Sequence, residues 1–210
     1  MEKTIYEKFD KTKIGQLPRL EPQGRIIVVL SAAEADKAVD WLMTQPILGI
    51  DTETRPTFKR GQARHLALLQ IASPDTCFLF RLNRFDITDK LKALLEDTAI
   101  PKVGLSLRDD LRGLRQLREF TPGKYIELQD EVTRIGIRDA SLQKIYANLF
   151  GKRISKAQQL SNWEADTLSP AQQHYAATDA WACIHIYREL HSLLTTHAYT
   201  LVEERLEIRD

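Results

Sequence analysis

Short apolar runs alternate with longer segments of helical periodicity along this chain. The runs that have the length of buried strands lie at residues 25–30, 46–50, 66–72, 76–82 and 100–105. Ser73-Pro74-Asp75 separates the third run from the fourth and predicts a hairpin there. Helices are predicted at residues 31–44, 86–96, 106–117, 129–135, 141–149 and 170–195. The alternation predicts an α/β fold, a mixed sheet with helices on both faces.

Serine residues mark the starts of two of these helices. Ser31 can cap the helix that follows it, and Ser169 followed by Pro170 is a typical start for the long helix that ends near residue 195.

The two ends of the chain lack the alternating pattern. Residues 1–22 are rich in charged residues and predict an extension or loosely packed arm, and residues 196–210 form a charged tail. Residues 23–195 are predicted to be a single domain, because a chain of 210 residues with 43% hydrophobic content can bury one sizeable core.

Neither membrane insertion nor secretion is indicated. The chain contains no run of about 18 apolar residues and no charged leader followed by an apolar segment. Its two cysteines, Cys77 and Cys183, are expected to be small buried residues in a reducing compartment. We therefore expect cytoplasmic localisation and no membrane partner.

Acidic residues follow the first of the central strands. Asp51 and Glu53 come directly after the run at 46–50, and residues two apart on a strand share a face. Two anions on a mostly apolar sheet repel each other unless a cation or a proton joins them. Oxygen ligands suit Mg²⁺ and Mn²⁺. The alternative is an acidic pair that ends a strand in a solvated turn.

Two further stretches carry acidic residues, each with an ordinary alternative. Tyr175 and Asp179 are four residues apart and share one face of the last predicted helix, where they could be a core aromatic and a surface charge. Asp109 and Asp110 fall at a strand-to-helix turn, where the helix dipole stabilises acids. Only the combination of the three stretches indicates a metal site.

The formal net charge of +1 is low for a protein that holds nucleic acid, because phosphate contacts come from clustered Lys and Arg. Positive charge is nevertheless concentrated locally, and the alternative is that these clusters are solvated faces. The predicted nucleic-acid contacts are Arg55, Lys59, Arg60, Arg64 and Arg108, with Phe58 able to stack on a base or anchor its loop. Other clustered cations are Arg112, Arg115, Arg118, Lys152, Arg153 and Lys156.

Together the three acidic stretches resemble the DEDD-type 3′-5′ exonucleases of the ribonuclease H-like fold, in the subclass with a tyrosine in its last motif. Asp51 and Glu53 match the family's Asp-x-Glu motif after a strand, and Tyr175 and Asp179 match its Tyr-x-x-x-Asp motif on a helix. The family's middle aspartate, six residues after a Val-Gly pair, selects Asp110, with Asp109 as the alternative. The likeness runs from about residue 25 to about residue 195 and is strongest to ribonuclease D and Werner-type exonuclease domains.

The chain departs from that family in two places. Leu105 and Ser106 stand where the family often has His-Asn, and Glu127 stands where many relatives carry Asp. These departures leave the metal ligands intact and put the substrate preference in question.

The resemblance implies an enzyme that hydrolyses phosphodiester bonds from 3′ ends of DNA or RNA and releases nucleoside monophosphates. Two divalent cations, Mg²⁺ or Mn²⁺, would lie about 3.5 to 4 Å apart and be bridged by Asp51. Glu53 and Asp179 would complete the ion that binds the attacking water, and Asp110 would hold the other ion through water. Tyr175 would orient the water, because a phenol with a pKa of about 10 is a poor base.

Two alternatives to the exonuclease stay open. One is an inactive ribonuclease H-like module that binds nucleic acid or a protein. The other is a metal phosphoesterase that acts on small nucleotides.

Overall fold

The computed structural model describes residues 2–21, 24–55 and 65–203. Four residues predicted to contact nucleic acid lie outside the described residues: Phe58, Lys59, Arg60 and Arg64. The strands, in chain order, are β1 (Lys3–Tyr6), β2 (Arg25–Val29), β3 (Leu48–Thr54), β4 (Leu66–Ala72), β5 (Thr76–Phe80), β6 (Lys102–Gly104), β7 (Tyr125–Glu127) and β8 (Tyr199–Val202). The helices are α1 (Lys11–Ile14), α2 (Ala32–Leu42), α3 (Asp89–Glu96), α4 (Leu107–Leu117), α5 (Leu128–Thr133), α6 (Leu142–Phe150) and α7 (Pro170–Thr196).

Six of the described strands form one mixed sheet in the order β2-β5-β4-β3-β6-β7. Its centre is antiparallel, with β4 between β3 and β5. Towards the edges, β2 pairs parallel with β5, and β6 pairs parallel with both β3 and β7. The predicted hairpin is therefore present as β4 and β5, and the predicted α/β class is confirmed.

Helices cover both faces of this sheet. The neighbouring side chains of Leu68 and Leu69 on β4 belong to two different hydrophobic clusters, because neighbours on a strand point to opposite faces. Leu68 packs with residues of α5, α6 and α7, whereas Leu69 packs with residues of α2, α3 and α4. Burial on both faces explains why β4 is a nearly continuous apolar run rather than an alternating one.

The long helix α7 lies unusually close to β3. A capping box sets its start: the Ser169 hydroxyl accepts a hydrogen bond from the Gln172 N–H at 3.2 Å, and the Gln172 side chain accepts one from the Ser169 N–H at 3.0 Å. A Cβ on Gly49 of β3 would lie 2.0 Å from the carbonyl oxygen of Ala180. Glycine is therefore required here by the approach of the helix, which brings α7 onto the strand of the first acidic motif.

The described parts of the two chain ends pack against each other and against the domain. β1 pairs parallel with β8, and Ile5 is fully buried. The Asn148 side chain accepts a hydrogen bond from the Tyr6 N–H at 2.9 Å and donates one to the Tyr6 carbonyl at 2.7 Å. The prediction of a loosely packed arm is wrong for these residues. The division of the chain into extension, domain and tail stays a prediction.

Smaller differences concern the bounds of single elements. α3 begins at Asp89 because Thr88 caps it by accepting a hydrogen bond from the Leu91 N–H at 3.1 Å. β7 has only three residues, all half-buried, and so leaves no apolar run in the sequence. None of the described helices combines the length and the apolar character needed to cross a membrane.

Candidate active site

Asp51 and Glu53 project from the same face of β3. The strand extends to Thr54, so both residues lie within it rather than after it. Gly49 shares their orientation, since residues two apart on a strand point the same way, and it contacts Ala180 of α7. Helix α7 therefore covers the face on which both carboxylates lie.

Helix α7 brings two more predicted residues to that face. Tyr175 and Asp179 are about one helical turn apart, and both are buried. Carboxylate oxygens of Asp51, Glu53 and Asp179 lie within 4.8 Å of one another. The first and last motifs therefore meet in three dimensions.

Asp110 approaches the same place from α4. The hydroxyl of Thr52, the residue between the two acids of β3, donates a hydrogen bond to Asp110. Asp109 is exposed and forms an ion pair with Arg112 at 3.1 Å. The structure thus places Asp110, rather than Asp109, beside the other carboxylates. The four residues Asp51, Glu53, Asp110 and Asp179 are called the acidic cluster below.

Burial raises the pKa of every member of the acidic cluster, and repulsion by other members adds to the rise for Asp51 and Glu53. Burial is the largest cause for Asp51, followed by the charges of the other three members, and its pKa lies well above the ordinary value. Burial, followed by the charges of Asp179 and Asp110, raises the pKa of Glu53 to about 9. Burial also raises the pKa of Asp110 to about 6 and that of Asp179 to about 7. Four negative charges cannot coexist here at neutral pH unless cations compensate them.

The chemistry of these side chains fits divalent cations. Their ligand atoms are carboxylate oxygens, the type that Mg²⁺ and Mn²⁺ prefer. One oxygen of Asp179 is buried and finds no hydrogen-bond partner among the described residues. Buried polar atoms are seldom left in that state. A bound cation would satisfy this oxygen and offset the repulsion within the cluster.

Tyr175 is held beside the acidic cluster by an aromatic contact. Its ring packs against Trp163, with the ring centroids 5.9 Å apart, and its hydroxyl lies close enough to Asp179 to oppose part of the rise that burial causes in the pKa of that carboxyl. Burial, followed by the charges of Asp179, Glu53 and Asp51, raises the pKa of the phenol above its ordinary value. The hydroxyl therefore stays protonated at neutral pH and can donate a hydrogen bond but cannot act as a base.

Three members of the acidic cluster, Asp51, Glu53 and Asp179, border a pocket of about 240 Å³. Leu105, Leu142 and Gln159 line it, and of these only Leu105 had been singled out in the sequence, as a departure from the family pattern. Thr52 was also missed, although its place inside the Asp-x-Glu motif was a usable signal. Residues that line this pocket from loops have no such signal in the sequence.

Cys183 also reaches the wall of this pocket. Burial, followed by the charge of Asp51, raises the pKa of its thiol well above the ordinary value, so the group is neutral. Cys77 and Cys183 are both free and buried, as expected. Cytoplasmic localisation stays a prediction.

The predicted nucleic-acid contacts within the described residues have different surroundings. Arg55 forms an ion pair with Glu164, in the segment before α7, at 2.9 Å. Arg108 is exposed on α4 and lines a groove of about 490 Å³ outside the pocket. The charge of Lys156 partly opposes the rise that burial causes in the pKa of Asp179, so this lysine lies near the acidic cluster.

A model of the 3′-5′ exonuclease family matches residues 26–195. The chain belongs to this family. It is 29% identical over 206 residues to the mouse bifunctional 3′-5′ exonuclease/ATP-dependent helicase WRN, a match that covers 91% of the chain and 15% of the mouse protein. The Nibbler EXO domain of Aedes aegypti superimposes with a TM-score of 0.77 at 19% identity, covering 86% of this chain and 94% of that domain. Escherichia coli RNase D superimposes with a TM-score of 0.72 at 22% identity, covering 81% of this chain and 45% of that one.

The 3′-5′ exonuclease family and the ribonuclease H-like fold, both implied by the sequence motifs, are thereby confirmed. The predicted enzyme class, a hydrolase that acts on nucleic acids, is confirmed with the family. This 3′-5′ exonuclease chain spans only 15% of the length of its mouse relative.

Without divalent cations, this chain should lose stability as the pH rises. Folding raises the pKa of Glu53 from 4.5 to about 9, so the folded state binds this proton more tightly than the unfolded chain does. Between these pH values the folded protein carries more protons, and the free energy of unfolding therefore falls as the pH rises through the window. Urea denaturation in EDTA at about pH 5, 7 and 9 measures this effect.

The variant Glu53→Gln should show a weaker dependence of the free energy of unfolding on pH. At high pH, the metal-free variant should be more stable than the metal-free wild type by about 2 kcal/mol. Asp109→Asn is the control, because Asp109 is exposed and its charge raises the pKa of Asp110 less than burial does, so the pH dependence of stability should change much less than in Glu53→Gln. A wild-type protein whose stability stays constant or rises across the window would contradict the electrostatic account.

Proposed function

We propose that this chain removes nucleoside monophosphates from 3′ ends of DNA or RNA by hydrolysis, with two divalent cations, Mg²⁺ or Mn²⁺, as cofactors. The convergence of three carboxylates, whose oxygens lie within 4.8 Å of one another, carries the proposal. A fourth carboxylate, Asp110, lies beside them. When bound, such cations lower the pKa of water and neutralise charge on a phosphoryl group.

Asp51 takes the central place among the ligands. After burial, the charges of all three other members raise its pKa, so it interacts electrostatically with each of them. Asp51 would therefore be shared between the cations. Glu53 and Asp179 would complete one site and Asp110 the other, with Thr52 orienting the Asp110 carboxylate through its hydrogen bond.

Tyr175 would position the attacking water. Its hydroxyl stays protonated, and it lies against Asp179 at the edge of the pocket. The phenol oxygen held in that place can accept a hydrogen bond from the water and so fix its orientation. The tyrosine would thus contribute orientation rather than proton abstraction.

The presence of every carboxylate favours the enzyme over an inactive binding module. Loss of one ligand would have favoured the module, but Asp51, Glu53, Asp110 and Asp179 all stand in place. Escherichia coli RNase D is described as an exoribonuclease involved in structured RNA processing, which makes RNA one candidate substrate for this chain.

A row of arginines on α4 supports a polymeric substrate over a small nucleotide. Arg108, Arg112 and Arg115 share one helix face and line the groove of about 490 Å³. The row extends roughly 10 Å along the helix, about three nucleotide steps of a B-form strand. Arg112 and Arg115 pair with Asp109 and Glu119 on the surface, where ion pairs are weak and a phosphate can replace the carboxylate.

The variants Asp110→Asn and Asp109→Asn test the site directly. On matched 5′-labelled single-stranded DNA and RNA, the wild type should give a ladder that shortens from the 3′ end with Mg²⁺ or Mn²⁺ and not with EDTA. Asp110→Asn should reduce the rate by about 100-fold or more, because it removes a ligand charge. Asp109→Asn should stay within about threefold of the wild type, because its side chain faces solvent.

Two outcomes of that experiment would contradict the proposal. A normal rate in Asp110→Asn, together with loss of activity in Asp109→Asn, would reverse the assignment of the middle ligand. Intact substrates under every condition would favour the binding module or the phosphoesterase of small nucleotides.

The triple variant Arg108→Gln/Arg112→Gln/Arg115→Gln tests the polymer assignment. Its KM for a 20-nucleotide strand should rise by about tenfold, and the salt dependence of log KM should weaken by about 0.7 for each lost phosphate contact. Its kcat/KM on a dinucleotide should stay within about twofold, since a short substrate does not reach the groove. Lys37→Gln/Lys90→Gln/Arg134→Gln removes the same charge outside this groove and is the control. Equal effects on both substrates would contradict the assignment.

A further inference from the structure

The start of α4 differs from the starts of the other long helices. α2, α3, α6 and α7 each begin after an extended Ser or Thr whose own hydroxyl accepts a hydrogen bond from the first turn. Ser106, which precedes α4, has φ of 62° and ψ of 35°, and its hydroxyl does not cap the helix. This left-handed conformation is unfavourable for residues other than Gly. Another group must therefore hold the turn.

The side chain of Glu127 holds it. One carboxylate oxygen accepts hydrogen bonds from the N–H groups of Ser106 at 2.9 Å and Gln129 at 3.0 Å, and the other accepts one from the Leu107 N–H at 2.8 Å. The Gln129 side chain adds a hydrogen bond to the Ser106 hydroxyl at 3.0 Å. A single carboxylate thus joins the N-termini of α4 and α5, both of which favour a negative charge.

Strand pairing places Glu127 within reach of this turn. It ends β7 directly opposite Gly104, which ends β6. Only Leu105 and Ser106 separate β6 from α4. Glu127 therefore lies beside the turn from which α4, the helix that carries Asp110, begins.

Asp110 is the member of the acidic cluster that depends on this turn. The other three members lie on β3 and α7, which pack directly against each other, whereas Asp110 lies in the first turn of α4, soon after Leu107. The hydrogen bond from Thr52 links Asp110 to β3. We propose that Glu127 is a positioning residue that fixes the N-terminus of α4 and thereby sets the place of Asp110 in the metal site. The proposal rests on the proposed function in that it takes the acidic cluster as a metal site.

Glu127→Gln tests this role, because it keeps the size of the side chain and replaces one acceptor oxygen with an NH₂ group. Calorimetric titration should show that the variant binds one of its two Mn²⁺ ions about tenfold more weakly than the wild type does. The Kd of the other ion should stay within about twofold of its wild-type value. In the strand-shortening assay, kcat should fall by about tenfold while KM for the oligonucleotide stays within about twofold.

Two further variants separate positioning from general stabilisation. Glu34→Gln is the matched control, since Glu34 caps α2 by accepting a hydrogen bond from the Leu30 N–H at 2.7 Å, and α2 carries no member of the acidic cluster. It should leave the Mn²⁺ affinities unchanged. Adding Ser106→Gly to Glu127→Gln should restore most of the lost affinity, because Gly adopts the left-handed conformation without strain.

Unchanged Mn²⁺ affinities in folded Glu127→Gln would overturn the positioning role. Equal weakening at both ions, or the same loss in Glu34→Gln, would also overturn it by showing a general effect on stability. If the wild type binds Mn²⁺ but cleaves no substrate, only the proposed function is contradicted. The titration of the variants would still decide the role of Glu127. A wild type that binds no Mn²⁺ would contradict both the proposed function and the positioning role of Glu127.

Discussion

Repulsion among buried carboxylates is the constraint on which the rest of this site depends. Asp51, Glu53 and Asp179 are held together because α7 lies against β3, and Gly49 permits that approach. The hydrophobic clusters on the two faces of the sheet impose this arrangement on groups that would otherwise separate. Folding therefore creates an electrostatic cost that a divalent cation offsets, so cation binding and stability are coupled.

The same constraint explains where the positive charges lie. Among the described residues, Arg55 and Arg112 pair with acids outside the acidic cluster, Glu164 and Asp109, whereas Lys156 lies near Asp179. A Lys or Arg bound to the cluster would compete with the cations for the same oxygens. Cations at the rim can instead meet the phosphates of a nucleic acid, which explains how a chain with a formal net charge of +1 can belong to a nuclease family.

Sequence reasoning succeeded where the decisive geometry is local. Asp51 and Glu53 share a strand face, and Tyr175 and Asp179 share a helix face, so spacing alone predicts each pair. The choice between Asp109 and Asp110 depends on the rotation of α4 about its axis, by about 100° per residue, which packing sets. Spacing within the chain therefore left that choice open.

The features that were missed depend on contacts between distant segments. The capping role of Glu127 depends on the register of β6 and β7, two three-residue strands too short to leave a pattern. The pairing of β1 with β8 joins the two ends of the chain, and β1 contributes a single fully buried side chain, that of Ile5. Periodicity cannot reveal either contact, because it reports which face of an element is buried and not which partner buries it.

The central claim is that the acidic cluster holds two divalent cations, and anomalous X-ray scattering from crystals soaked in Mn²⁺ tests it most directly. We expect two peaks about 3.5 to 4 Å apart, both next to Asp51. One should also contact Glu53 and Asp179, and the other should lie on the side of Asp110. Absence of both peaks at saturating Mn²⁺, with the carboxylates hydrogen-bonded to one another through shared protons, would contradict the claim.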